Sequence, residues 1–484
     1  MGMRQYLLAL VPLLPVACNA AIGAPDRTTK SKGPIIEHGE GCSAQMAGGG
    51  GRAIATGAPG GFGGYKGEMM DDAPAPAEMG GMDRAKAPAA PRPAAPPSKP
   101  SIAKSDMPAP VTGRPPIEQP SGVRAGEWDD NANYRDYINW LGQKANPENK
   151  GKIDTSGREF LVVTDADGKA VPNCSISIGG KKLVTMASGR ALLFPKAMGL
   201  TGDKLTATAQ CGNSSASATF TPELDGVVQL KLDSKRVLPA KRTLDLAFVI
   251  DTTGSMSEEI AAVKQTVNAV SEQLSNSQTD VRIGLVEYKD RSDCLLTRTF
   301  PFSSDYAAFG QSVANITADG GGDMPEDMHA GLNAALDKLE WRDSAAARMV
   351  VVIGDAPPHF YEKEHFYDDV SRRAASRGIK LYTVAASGMD DLGQVVMRQM
   401  AQFTGATNMF VLRGGAGPQS VGGGDPQSSC GGTHQEYSSG KLDQLIMRKV
   451  KIELASIDAD PLKIPGRGKD ENAKPCNERL VVAN

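Results

Sequence analysis

The sequence predicts an α/β protein: a doubly wound, mostly parallel sheet, preceded by a small antiparallel β-sandwich and a disordered N-terminal linker. Three observations predict it. Between residues 244 and 412, five nearly continuous apolar runs alternate with helical patterns, as expected of strands buried on both faces and connected by helices. Residues 158–233 show short strands separated by turn residues instead, the pattern of a small antiparallel domain. Residues 21–124 carry most of the excess in a chain with 54 Gly and 32 Pro, and too few apolar side chains to offset the entropy of ordering.

The chain of 484 residues opens on MGMRQYLLALVPLLPVACNAA, with Arg4 ahead of an apolar run from Tyr6 to Ala17. That run is too short to span a bilayer and has the length of a signal-peptide core, so residues 1–20 are expected to be an export signal. Cys18, where the run ends, resembles the cysteine of a bacterial lipoprotein signal, although Pro15-Val16-Ala17 departs from the usual Leu-Ala-Gly type. A lipid anchor at Cys18 is the favoured reading and cleavage after Ala20 the rival. The expectation is a protein of the bacterial cell envelope (periplasm, outer membrane or cell surface), touching membrane only through that anchor. Lys+Arg 53 against Asp+Glu 56 gives a formal charge of -3, which argues against nucleic acid as a partner.

Setting Cys18 aside, Cys42, Cys174, Cys211, Cys294, Cys430 and Cys476 remain. An even number in an exported chain suggests disulfides. Cys174–Cys211, within one β-domain, is the favoured pair, with Cys430–Cys476 next. No CxxC spacing occurs, which speaks against a cysteine zinc site.

The linker at 21–124 passes from a glycine tract (48–67) to a proline tract (90–120), flexible and then extended, and is expected to hold the folded part away from a membrane or wall. In the segment 125–150, Tyr134, Tyr137, Ile138 and Leu141 share one face at i, i+3, i+4, i+7, predicting an amphipathic helix packed on a neighbouring domain. The β-sandwich at 155–234 resembles transthyretin-like or carboxypeptidase-regulatory β-domains by pattern and reads as a spacer or interaction module. The α/β domain follows at 240–457, with runs at 244–250, 281–288, 349–354, 379–385 and 408–412, and a tail occupies 458–484.

In doubly wound sheets, ligands bind beyond the carboxyl ends of the strands, so the loops after the strands carry the chemistry. The first is Asp251-Thr252-Thr253-Gly254-Ser255. The second, before a helix, is Asp319-Gly320-Gly321-Gly322-Asp323-Met324-Pro325-Glu326-Asp327. The third is Asp355-Ala356-Pro357-Pro358-His359. Carboxylates and hydroxyls are hard ligands suited to Mg²⁺, Ca²⁺ or Mn²⁺, and a cation would offset carboxylates that repel one another. Taken singly, each loop has a structural explanation: Ser255 and Glu258 form an S-x-x-E capping box, Gly320–Gly322 is a plain loop, and Asp355 is a helix cap. Together, in order and next to the right strands, they point to a metal site.

DLAFVIDTTGSM resembles the opening of a von Willebrand factor A (VWA) domain, with Asp251-x-Thr253-x-Ser255 matching the family's DxSxS metal motif and Thr in the middle. VEYKD (286–290) and VVVIGDAPPH match further family segments in order, so the resemblance covers about 243–457. It implies a Rossmann-like fold and a metal-dependent adhesion site holding one divalent cation, Mg²⁺ first and Ca²⁺ or Mn²⁺ as alternatives. Thr253 and Ser255 would ligate directly, Asp251 and Asp355 mainly through bound waters. The middle loop departs from the family by lacking its threonine. Asp323 is the candidate ligand there, with Thr317 as an outside choice. Two carboxylates and M²⁺ are formally neutral, and a third makes the sum −1, which tightens the site and weakens its pull on an anionic ligand.

Other constellations are weaker. His359, Glu362 and His365 crowd one segment without a standard zinc spacing. No GK[ST] follows the glycines, and no GxSxG occurs. The glycine tract at 413–432 reads as a surface loop. The leading expectation is a non-enzymatic protein-binding or adhesion protein in which a partner's acidic side chain completes the coordination. The alternative is a scaffold with a purely structural metal, and a metal-dependent hydrolase ranks last.

Overall fold

The computed structural model describes residues 33–42, 122–144, 153–277, 279–361, 367–417, 420–423 and 437–470. The export signal at 1–20, Cys18, Glu362, His365 and the Cys430–Cys476 pair lie outside these residues. No helix among the described residues is long and apolar enough to cross a membrane.

Two strands near the N-terminus, β1 (Ile35–His38) and β2 (Arg124–Trp128), are followed by helix α1 (Tyr134–Lys144). Strands β3 (Glu159–Thr164), β4 (Ser175–Ile178), β5 (Lys181–Val184), β6 (Arg190–Leu193), β7 (Leu205–Cys211), β8 (Ser214–Phe220) and β9 (Gly226–Lys231) make the sandwich. Its sheets run β6-β3-β9 and β5-β4-β7-β8. The alternating burial of β7 matches its alternating apolar residues, and the expected Cys174–Cys211 disulfide is present. One pair departs from the antiparallel expectation: β3 and β9, the first and last strands, run parallel, because no hairpin joins them.

The remaining elements alternate. Strand β10 (Thr243–Asp251) leads through a 3-10 turn (Gly254–Glu258) into α2 (Ile260–Ser275). Then come β11 (Asp280–Tyr288), β12 (Leu295–Ser303), α3 (Tyr306–Ala314), α4 (Met328–Asp337) and β13 (Ala347–Gly354). They are followed by α5 (Tyr367–Ala375), β14 (Ile379–Ala385), α6 (Asp391–Phe403), β15 (Asn408–Val411), β16 (Ser438–Lys441) and α7 (Leu442–Ala455). One nine-stranded sheet collects β1-β12-β11-β10-β13-β14-β15-β2-β16. Its centre, β11-β10-β13-β14-β15, is parallel throughout, and these five strands are the five apolar runs of the sequence. Every residue of β13 is buried, as two helix layers require.

The linker expected over 21–124 is interrupted by β1, which pairs antiparallel with β12 (Ile35 opposite Thr299, Glu37 opposite Thr297). Apolar density could not reveal this strand, since Ile35 and Ile36 stay exposed. Polar contacts and a cross-link hold it: Glu37 accepts from the Thr297 hydroxyl at 2.8 Å and pairs with Lys338 at 3.0 Å, and Cys42 is disulfide-bonded to Cys294. The segment 35–42 therefore belongs to the folded part.

Helix α1 packs where its apolar face predicts: Tyr134, Tyr137 and Leu141 cluster with Val395 of α6. Beneath them Arg398 makes a buried two-pronged ion pair with Asp130, at 2.9 Å and 2.5 Å, and lies 3.4 Å from the Trp140 ring centroid. The sandwich joins the α/β core through Phe194 stacked on Phe403, with centroids 5.1 Å apart, and through Asn173, which bonds Ala345 and Arg348.

Candidate metal centre

Strand β10 delivers Asp251, fully buried, to the carboxyl edge of the sheet. The chain turns at once, and the Thr253 N–H and hydroxyl both donate to Asp251 Oδ1, at 2.9 Å and 2.7 Å. Two residues on, the Ser255 hydroxyl donates to Asp355 Oδ1 at 3.0 Å, just past the end of β13. The Thr253 and Ser255 oxygens meet at 3.1 Å. With each proton committed to a carboxylate, those oxygens face each other with lone pairs, an arrangement that a shared cation stabilises. Asp251, Thr253, Ser255 and Asp355 thus form one continuous polar chain. The capping-box explanation of Ser255 does not describe the geometry, because the turn begins at Gly254 and the Ser255 hydroxyl is spent on Asp355.

The middle loop is stitched to the first by Asp319 N–H to Thr252 O and Gly254 N–H to Gly320 O, both 3.1 Å. Lys289 reinforces the seam, donating to Thr252 O at 2.9 Å and pairing with Asp319. Gly321 sits at φ +73°, and its N–H donates to the Asp293 carboxylate. A Cβ there would lie 2.9 Å from Glu326 Oε1 and 3.3 Å from Thr253 Cβ, so the close approach of these side chains requires glycine.

Asp323, the candidate from sequence, is exposed, and no described hydrogen bond or ion pair ties it to the ligands of the other two loops. Thr317 is also exposed, with its hydroxyl on Asp319. The carboxylate that reaches inward is Glu326, 3% exposed. Its N–H donates to Pro357 O at 3.0 Å, and His359 N–H donates to its carbonyl at 3.1 Å, pinning the middle loop against the loop that carries Asp355. Sequence spacing singles out Asp323, the first acid after the glycines, and not Glu326. Asp327 caps α4 by accepting from Ala330 N–H at 3.0 Å and so fixes Glu326 just outside the helix start.

Charge is crowded here. Burial pushes Asp251 and Asp355 above the usual carboxylate range, Asp355 further so by the charge of Asp251. Burial, then the charges of Asp251 and Asp290, lifts Glu326 to about 8. Tyr288, behind the site, is pushed well up by burial and by these same three acids. Among the described residues, two buried oxygens, Asp251 Oδ2 and Glu326 Oε2, have no hydrogen-bond partner, although the Tyr288 hydroxyl lies against the Asp251 carboxylate. Orphaned carboxylate oxygens beside two lone-pair-bearing hydroxyls fit a hard divalent cation.

Gly354 makes room behind the site, since a Cβ on it would lie 2.6 Å from the Tyr288 hydroxyl and 3.4 Å from Asp251 Oδ2. Gly354→Ala is expected to cost about 1–3 kcal/mol by overpacking and to displace Asp251, read as a lowered urea midpoint. A midpoint equal to that of the parent would show that the pocket has slack.

His359 faces Asp290 at 3.0 Å and stacks on Tyr361, so it serves the rim. His38, Cys42 and Cys294 bring three ligand atoms within 4.8 Å of one another, but the disulfide between the cysteines leaves no thiolate to bind metal.

The family model described as von Willebrand factor type A domain matches residues 245–414. The alpha-protein kinase vwkA of Dictyostelium discoideum is 29% identical over 255 residues, covering 48% of this chain and 40% of the relative. The von Willebrand factor A domain-containing protein 7 of Homo sapiens is 37% identical over 105 residues, covering 22% of this chain and 11% of the relative. The chain spans less than half the length of these curated relatives. Among solved structures, an aerotolerance-related membrane protein from Bacteroides fragilis aligns with a TM-score of 0.27 at 15% identity, over 34% of this chain and 89% of its own.

Proposed function

Because residues 245–414 are a von Willebrand factor type A domain, and such domains generally mediate protein–protein interaction, we propose that this chain is a non-enzymatic binding protein whose recognition face is organised by one divalent cation. The ligands would come from Asp251, Thr253, Ser255 and Asp355, with the middle loop contributing a further oxygen. The observation that carries the reading is the unbroken chain from Asp251 through two hydroxyls to Asp355, with Asp251 Oδ2 accepting no hydrogen bond from the described loops. Ser255 is exposed, so a partner can reach the site. Mg²⁺ suits this small, hard oxygen set best, with Ca²⁺ or Mn²⁺ as alternatives. Bound there, the cation supplies the positive charge that the buried carboxylates lack.

Export belongs to the same reading. Two disulfides, Cys42–Cys294 and Cys174–Cys211, suit an oxidising compartment, in keeping with a cell-envelope protein anchored through Cys18. The test is affinity capture from an envelope extract on the immobilised full chain, with Mg²⁺ and with EDTA. A partner should be retained with Mg²⁺ and lost both with EDTA and on Asp251→Ala. A partner held equally under all three conditions would sink the metal-dependent interaction.

A further inference from the structure

We propose that His38, Cys42 and Cys294 form a second, redox-gated site for a thiophilic divalent cation of the Zn²⁺ class, closed as a disulfide in the oxidised chain and opened by a dithiol reductant. The proposal does not depend on the hard-cation reading above, because its donors are sulfur and nitrogen. Three observations carry it. The first is distance. The three ligand atoms lie within 4.8 Å of one another, and His38 Nδ1 stands 3.4 Å from Cys42 Sγ. With Zn–S and Zn–N bonds of about 2.3 and 2.0 Å, the S···N edge of a tetrahedral site is about 3.5 Å. The imidazole is therefore already in place, and the sulfurs need only turn apart once their bond is broken. The second is a frame that outlasts that bond. His38 pairs with Leu295 across β1 and β12. The Gly39 N–H donates to Cys294 O at 3.1 Å, and the Glu40 N–H to Arg291 O at 2.7 Å. A Cβ on Gly39 or Gly41 would run into the carbonyls of Asp293 and Ser292, so backbone seats the turn carrying Cys42 on the loop carrying Cys294. The third is access. Cys294 and His38 are exposed and Cys42 is half-buried, whereas Cys174 of the other disulfide is fully buried, so thiol–disulfide exchange reaches Cys42–Cys294 first. A cavity of about 480 Å³, lined among others by His38, Cys294, Asp293 and Lys289, adjoins the cluster and has room for a water as fourth ligand.

The exchange balances. A thiolate of the dithiol attacks the exposed Cys294 Sγ, and Cys42 leaves as a thiolate. The second thiol of the reductant then closes its own disulfide and releases Cys294. The dithiol loses two electrons and two protons, and the two cysteines gain them. The cation displaces those protons to solvent, and two thiolates neutralise its charge. The His38 imidazole binds through Nδ1 with its proton on Nε2. CxxC spacing is absent because the second thiol arrives across the sheet edge, from 252 residues away. Once bound, the cation holds β1 on β12 in place of the covalent tie.

The experiment is titration of the full chain with Co²⁺, before and after treatment with an immobilised dithiol that is removed before the metal is added. The readout is the thiolate-to-cobalt charge-transfer band in the near ultraviolet, which Co²⁺ held by oxygen ligands at the carboxyl edge of the sheet does not give. The reduced parent should develop the band, saturating at a single equivalent, and Zn²⁺ should abolish it. The oxidised parent should show none. Cys42→Ser should lose the band, and the double variant Cys430→Ser/Cys476→Ser should keep it. His38→Ala, which retains both thiols, should bind Co²⁺ about 10-fold or more weakly. A reduced parent without the band, or one that loses its circular dichroism on reduction, would overturn the proposal. So would a band of unchanged affinity in His38→Ala, since the thiolates would then act without the imidazole.

Discussion

Asp251→Asn should weaken Mg²⁺ binding by about 10–100-fold and yet raise the melting temperature of the metal-free chain at pH 8. The two effects share one cause. Asp251, Asp355 and Glu326 are buried together, and all three are held above the usual carboxylate range, Glu326 to about 8. Asparagine keeps an oxygen for the Thr253 N–H and hydroxyl but removes a charge that its neighbours oppose. The pH dependence follows with a definite sign. Groups whose pKa is raised on folding keep protons that the unfolded chain has lost. Between about pH 4 and pH 8 the native state therefore binds more protons, and stability falls as pH rises. Mg²⁺ at the proposed site would take the place of those protons, so its stabilising effect should be small at pH 5 and largest near pH 8.5. Thermal scans across that range, with EDTA and with Mg²⁺, check it. A metal-free melting temperature that rises with pH, or a Mg²⁺ increment that shrinks, would contradict the charge crowding.

Asp130→Ala should destabilise the chain by about 3–5 kcal/mol, the cost of leaving a buried cation without its partner. Arg398 has a side chain 1% exposed and Asp130 one 2% exposed, so water cannot substitute for the lost carboxylate. Burial lifts the Asp130 pKa even though Arg398 opposes it, which marks a pair whose desolvation is expensive. The double variant Asp130→Leu/Arg398→Met should accordingly lose far less than Asp130→Ala alone. Urea unfolding of the single and double variants measures the coupling. Equal losses would mean that the pair contributes net attraction and does not merely avoid an orphaned charge.

The parallel centre of the sheet was legible because strands buried on both faces cannot disguise themselves: 244–250, 281–288, 349–354, 379–385 and 408–412 are apolar almost without interruption. The edges were not legible. β12 is mostly half-exposed and contains Pro301, β16 is SSGK, and β1 owes its place to Glu37 and Cys42. Strands held by backbone pairing, a salt bridge or a cross-link leave no hydrophobic period to read. Cys174–Cys211 could be anticipated within one small domain, whereas Cys42 and Cys294, 252 residues apart, could not. At the site, Asp251, Thr253, Ser255 and Asp355 sit at or within four residues of strand ends whose positions the pattern determined. The middle loop has no such ruler. Which of its acids turns inward is decided by the backbone bridge of Glu326 to Pro357 and His359, a contact between segments that sequence spacing does not encode.

Crystals of the full chain grown with Mn²⁺ offer the most direct view, through an anomalous difference map at the manganese edge. One strong peak should stand among Asp251, Thr253, Ser255, Asp355 and Glu326. A map with no peak there, or with manganese bound only elsewhere, would refute the idea that three loops above this sheet share a hard cation.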